Sequence, residues 1–169
     1  GFIKINGKVT KDFSYKVTEL DSIQFKNKYV NLEENNYYYV LHKPKGYVCS
    51  SNDQFNRKVI YDLIPHNSRL FSIGRLDYDT SGIIFLTNDG NFSQLLSHPK
   101  YQIPKKYFVN TDLKLSSKKI LLIKNGINID KFIMRADIKF LEHNKNGYFW
   151  EIKMTEGKNR EIKKIFNNI

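Results

Sequence analysis

The stretch Gly74-Arg75-Leu76-Asp77-Tyr78-Asp79-Thr80-Ser81-Gly82 sets a carboxylate between a basic residue and a Thr-Ser-Gly turn. A continuous apolar run, Ile83 to Leu86, follows and stops at Asn88-Asp89-Gly90. This pattern predicts a loop, a buried strand and a tight turn. A strand fixes position while its loop leaves a side chain accessible, so Asp77 is well placed to attack carbon or remove a proton in its ionised form. Asp79, two residues on, offers a second carboxylate. The i, i+2 spacing on a loop does not by itself establish the paired-carboxylate geometry of a glycoside hydrolase. Asp89, in Asn-Asp-Gly, reads as a turn residue.

Other chemistries find little support. His42, His66, His98 and His143 lack metal-site spacing, and Cys49, the single cysteine, has no partner thiol. A lone cysteine also rules out an intramolecular disulfide and fits a reducing compartment.

The elements that must hold Asp77 follow from periodicity. Tyr37 to Leu41 is an aromatic, β-prone strand running into Lys43-Pro44-Lys45-Gly46, where proline presets the turn and glycine relieves its exit. The chain is expected to return through Tyr47-Val48-Cys49, which makes the turn a basic hairpin tip. Val59, Ile60, Leu63 and Ile64 have helical spacing and end before Pro65. Phe92, Leu95 and Leu96 predict a short helix closed by His98-Pro99. Ser116 or Ser117 can cap a third helix through Ile120 to Ile123, with Gly126 at its C-terminus. Lys106 to Val109 and Tyr148 to Met154 are strand-like. Ile162, Ile165 and Phe166 share one face of a last helix. The order of elements predicts an α+β fold, a mixed and largely antiparallel sheet with flanking helices. Residues 1–28 read as a small unit of short strands, 29–36 as a polar linker and 37–169 as the main domain.

The chain carries 28 Lys and Arg against 17 Asp and Glu, a net charge of +11. Such a balance points to a polyanionic partner, nucleic acid or an acidic membrane surface. Arg occurs only at 57, 69, 75, 135 and 160, so 23 of the 28 basic residues are Lys. With the abundance of Asn, Ile and Tyr, this resembles an AT-rich coding bias more than a set of arginine forks. No run is long and apolar enough to span a membrane. The chain opens on Gly1 and closes on Asn168-Ile169 without a helix stop, and so reads as an excised fragment; any targeting peptide would lie outside it.

The 74–90 stretch resembles the catalytic motif of pseudouridine synthases, in the branch that modifies ribosomal RNA (the RsuA/RluB type): G-R-L-D-x-x-T-S/T-G, an apolar strand, then T-N/D-D-G. Two further motifs follow the same pattern in order. Lys105-Lys106-Tyr107 is similar to the family's K-x-Y, and Glu156-Gly157-Lys158-Asn159-Arg160-Glu161-Ile162-Lys163-Lys164 resembles E-G-x-x-R/H-Q/E-I/V-R/K-R/K. Lys43-Pro44-Lys45-Gly46 is similar to the motif near the start of the catalytic domain.

The resemblance implies isomerisation of a specific uridine in ribosomal RNA, the large-subunit type being closest to Asn159-Arg160-Glu161. It places the catalytic carboxylate on Asp77, a base-facing and proton-accepting candidate on Tyr107, and the cation paired with Asp77 on Lys163. Whether Asp77 attacks ribose C1′, adds to the uracil ring or removes the 2′ proton stays open. The reaction needs no metal, nucleotide or redox cofactor. Arg75 would fill the gap left by a flipped nucleotide or contact its phosphate, and Lys43, Lys45, Lys105, Lys158 and Arg160 are the further RNA-contact candidates. Lys158, Arg160 and Lys164 have a plainer reading as a solvated charged face, and Lys43 and Lys45 as a hairpin tip.

By the same resemblance, residues 1–28 are the trailing part of a small ribosomal-protein-like RNA-binding module, and the catalytic domain is C-terminally incomplete. RNA is the expected partner, of a monomer that does not engage membranes. The compartment would be cytoplasmic in a bacterium, and plastid or mitochondrial matrix in a eukaryote. The alternative is an RNA-binding protein that kept this fold without its chemistry.

Overall fold

The computed structural model describes residues 2–30, 35–65, 69–155 and 157–169. Glu156 and His66, and residues 31–34 of the expected linker, lie outside them. The chain divides into two compact units, Gly1–Asn36 and Tyr37–Ile169.

The small unit is an antiparallel sheet of β1 (Ile3–Ile5), β2 (Lys8–Val9), β3 (Ile23–Phe25) and β4 (Lys28–Tyr29), in the order β2-β1-β3-β4. Asn6 (φ 50°) and Gly7 (φ 80°) make the first turn left-handed, which Asn and Gly adopt at least cost. Asn6 Nδ2 also donates to Asp21 across the unit at 2.7 Å.

The large unit contains two three-stranded antiparallel sheets. In one, β7 (Gly82–Thr87) lies between β5 (Tyr38–Lys43) and β6 (Phe71–Ile73). In the other, β12 (Gly147–Met154) lies between β8 (Lys105–Thr111) and β11 (Asp137–Asn144), and β9 (Ile127–Ile129) with β10 (Phe132–Met134) forms a separate hairpin. The helices are α1 (Gly90–Ser97), α2 (Ser117–Asn125) and α3 (Glu161–Asn167). The fold is α+β with antiparallel sheets.

Each sheet side builds its own core. Ile60, Ile64, Leu70, Ile84 and Leu86 form one. Trp150, Ile152, Ile123, Met134 and Ile165, with others from β8 to α3, form the second and larger one. The α2 caps follow the sequence signals: Ser116 accepts from the Lys119 amide and Gly126 closes the helix. Asp89, read as a turn residue, also caps α1 through the Phe92 amide at 3.0 Å and takes the Tyr38 hydroxyl at 2.8 Å.

Three local expectations are corrected. The run from Ile83 to Leu86 is not buried throughout, since Ile84 and Leu86 pack inward while Ile83 stays 66% exposed. The cause is alternation: a strand with one face on a core turns every second side chain away. Tyr47-Val48-Cys49 does not return as a hairpin strand. The β5 partner is β7, and Val48 instead makes a parallel bridge to Val59. The predicted helix at 59–64 shrinks to a single 3-10 turn, Ile60–Leu63. There the Asp62 side chain takes the Val59 amide and Pro65 blocks extension.

Candidate active site

The Asp77 loop is clamped from the segment that follows β5. Lys43 is fully buried, and its ammonium donates to the carbonyls of Thr80 (2.7 Å), Asp77 (3.0 Å) and Pro44 (3.1 Å), with Tyr78 at 3.5 Å. All three ammonium donors are thereby used. Gly46, at φ 84°, donates its amide to the Tyr78 carbonyl at 2.8 Å. The Cys49 thiol both donates to the carbonyl and accepts from the amide of Leu76, each at 3.4 Å. Within the loop, the Thr80 amide closes a turn onto the Asp77 carbonyl at 3.0 Å. With its backbone held at so many points, the loop fixes where the Asp77 carboxylate sits.

The sequence reading of Lys43 as an RNA contact is therefore corrected. Its charge faces backbone carbonyls inside the protein, and no donor is left for a phosphate. Burial pulls its pKa below the ordinary lysine value, opposed by the nearby Cys49, Asp79 and Asp77.

The loop opens onto a cleft of about 1110 Å³. Asp77, Arg75 and Lys45 line it from one side. Tyr107 of β8, and Lys158, Arg160 and Lys163 at and before α3, line it from the other. Asp77 is partly exposed, at 29%, and its Oδ2 lies 3.6 Å from Lys163 Nζ. Lys163 also donates a hydrogen bond to Asp79, so it bridges two carboxylates. Arg160 Nη1 lies 4.0 Å from the same Asp79 oxygen. Arg160 itself is left-handed, at φ 51° and ψ 33°, where the chain turns into α3.

Tyr107 is partly buried against the larger core. Burial, then the carboxylates of Glu161 and Asp77, raise its pKa above the ordinary tyrosine value. The phenol is thus held neutral. Arg75 and Lys45 are exposed at the cleft. Lys158 pairs with Glu161 at 3.9 Å and covers the Phe132 ring. Lys105 reaches the Ile103 carbonyl at 3.5 Å and is not among the residues lining the cleft. Lys164, next to Lys163, points elsewhere, to Asp130 at 2.8 Å.

A model of the RNA pseudouridylate synthase family matches residues 37–168. The chain belongs to the RNA pseudouridylate synthase family. It is 35% identical to the ribosomal large subunit pseudouridine synthase B of Bacillus subtilis (strain 168) over 173 aligned residues, covering 100% of this chain and 70% of that one. It is 30% identical to the ribosomal small subunit pseudouridine synthase A of Haemophilus influenzae (strain ATCC 51907 / DSM 11121 / KW20 / Rd), covering 97% and 71%. A crystal structure of a pseudouridylate synthase superposes with a TM-score of 0.74 at 28% identity, covering 99% of this chain and 72% of that one.

Some cleft residues of this pseudouridine synthase carried no site assignment in the sequence reading. Asp79 is one, and the loop before the 3-10 turn supplies others. There Asp53 accepts from the amides of Phe55 (3.1 Å) and Arg57 (2.9 Å) and from the Arg57 guanidinium (2.6 Å). These bonds, the guanidinium first, hold the Asp53 carboxyl down to about 2. That Arg57 is one of five arginines in a lysine-rich chain was the available signal.

Proposed function

We propose that this synthase isomerises a specific uridine of ribosomal RNA to pseudouridine, in the large subunit, with Asp77 as its catalytic carboxylate. The observation that carries the reading is the meeting of Asp77, Tyr107 and Lys163, from three separate sequence motifs, in one cleft with a cationic rim. The 35% identity to the large-subunit synthase B of Bacillus subtilis supports the choice of target. In this reading the protein acts as a monomer. Among the described residues no helix is long and apolar enough to cross a membrane. The protein works where ribosomes are assembled: the cytoplasm of a bacterium, or the plastid or mitochondrial matrix of a eukaryote.

In this reading the N1–C1′ bond breaks, the retained uracil turns, and C5 joins C1′. The C5 proton leaves, N1 gains one, and the product is an isomer. Asp77 acts ionised, with Lys163 beside it as a fixed positive charge. Arg75, Lys45, Arg160 and Lys158 contact the RNA around the flipped nucleotide. Taking uridine from its stack costs a few kcal/mol, and stacking on Tyr107, roughly 1–3 kcal/mol per base, offsets part of that.

The test is direct. Unmodified large-subunit rRNA carrying C5-tritiated uridine should release tritium to water, unlabelled RNA should keep its mass after the same treatment, and small-subunit rRNA should release no tritium. RNA binding without release would make the protein a binding module, and loss of base mass would make it a hydrolase.

Tyr107 gives a prediction of its own. A raised pKa keeps the phenol protonated through neutral pH and past the ordinary value of 10.0. If Tyr107 works as the neutral phenol, the single-turnover rate should not climb with pH over that range. A phenolate base would instead give about a tenfold rise per pH unit below its pKa. Rate profiles of the wild type and Tyr107→Phe separate the two.

A further inference from the structure

Lys163 and Arg160 converge on a carboxylate that the reaction does not require. Asp79 is 57% exposed at the cleft, against 29% for Asp77. It takes the Lys163 hydrogen bond and lies 4.0 Å from Arg160 Nη1. Arg160, half-exposed, is turned there by its left-handed backbone. Carboxylate and phosphate are read by the same charged donors, guanidinium and ammonium.

We propose that Asp79 is an internal stand-in for a substrate phosphate: in the RNA-free protein its carboxylate occupies Arg160 and Lys163, and a backbone phosphate of the incoming RNA displaces it. The inference rests on reading the cleft as the RNA site. Three features support it. Exposed ion pairs of this kind are weakly held and screened by salt, so exchanging one for another costs little. The Lys163 hydrogen bond, with the Lys163 and Arg160 charges, keeps the Asp79 carboxyl below the usual carboxylate range. Asp79 is thus charged at neutral pH and opposes any anion that does not take over its partners. The third feature is anchorage: Asp79 belongs to the loop held by Lys43 and Gly46, so it can yield its partners without the Asp77 backbone moving.

The consequence is that Asp79 weakens RNA binding in the native protein. Asp79→Asn keeps the shape and removes the charge. Its affinity for a short fluorescein-labelled oligouridylate, measured by anisotropy, should rise about three- to tenfold at low salt. The slope of log affinity against log salt should steepen, because the wild type frees a carboxylate to gather counterions as RNA binds and the variant does not. Asp79→Glu should behave as wild type. In an Arg160→Gln background the gain from Asp79→Asn should shrink. Unchanged or weaker binding by Asp79→Asn, or an unmoved salt slope, overturns the proposal. A merely structural Asp79 would lose affinity on substitution rather than gain it. These readouts need no turnover, so a failure of the tritium-release test leaves them interpretable, and a failure here leaves the isomerase reading standing.

Discussion

Asp77→Asn should lower turnover by at least about a thousandfold while RNA affinity stays within a few fold of wild type. With Asp77 as the catalytic carboxylate, as proposed above, the size reflects the loss of the one group on which each route would depend, since neither nucleophile nor base survives as an amide. The retained affinity follows from the geometry. Lys163 keeps its hydrogen bond to Asp79, so the substitution strands no ammonium. The Asp77 carbonyl still receives Lys43, so the loop keeps its path. Single-turnover tritium release and a filter-binding isotherm on the same preparation check both halves. Near-normal turnover in the purified variant would remove Asp77 from the mechanism.

Lys43→Met should be the most damaging change outside the reacting groups, and damaging in a different way. Methionine keeps most of the apolar stem but leaves the part-buried carbonyls of Pro44, Asp77 and Thr80 without their ammonium donor. Leaving buried acceptors unsatisfied costs about 1–3 kcal/mol, which in a chain of this size lowers Tm by roughly 2–12 °C. Turnover should fall with the loop. Lys45→Met, two residues on and exposed at the cleft, should leave Tm within about a degree and weaken RNA binding modestly. Differential scanning calorimetry of the pair is decisive: a larger Tm loss in the Lys45 variant would contradict the assigned burial.

The contrast between these two lysines shows what a sequence carries and what it does not. Both stand in Lys-Pro-Lys-Gly, and nothing in composition separates them. The difference arises because Lys43 is the last residue of β5, opposite Gly82, and the 76–80 loop folds over its ammonium. Elements dominated by local signals were legible: the Ser116 and Gly126 caps, the α1 stop at His98 and the strands of β8 and β12 all sit where pattern and capping residues put them. The hairpin after Gly46 was not, because strand pairing is decided by partners far along the chain, and β7 offered β5 the longer ladder. Lys163 as a cation beside Asp77 came only through the family resemblance, and in the structure the two lie 3.6 Å apart. Its second carboxylate was not legible, since only the loop conformation tells whether Asp79 turns toward α3 or toward solvent.

The division of the large unit into two cores has a consequence for how mutations are tolerated. Asp77 rides on the strands packed around Ile84 and Leu86, whereas Tyr107 and Lys163 ride on the elements packed around Trp150 and Ile165. On the proposed roles of Asp77, Tyr107 and Lys163, neither half contains a full set of reacting groups. Drift within one core, through volume-conserving exchanges that leave it well packed, can therefore silence the enzyme by a small displacement of one half against the other, with every motif residue intact. A reader of sequences would count such a protein as active; its chemistry would depend on the fit between two hydrophobic interiors that the motifs never mention.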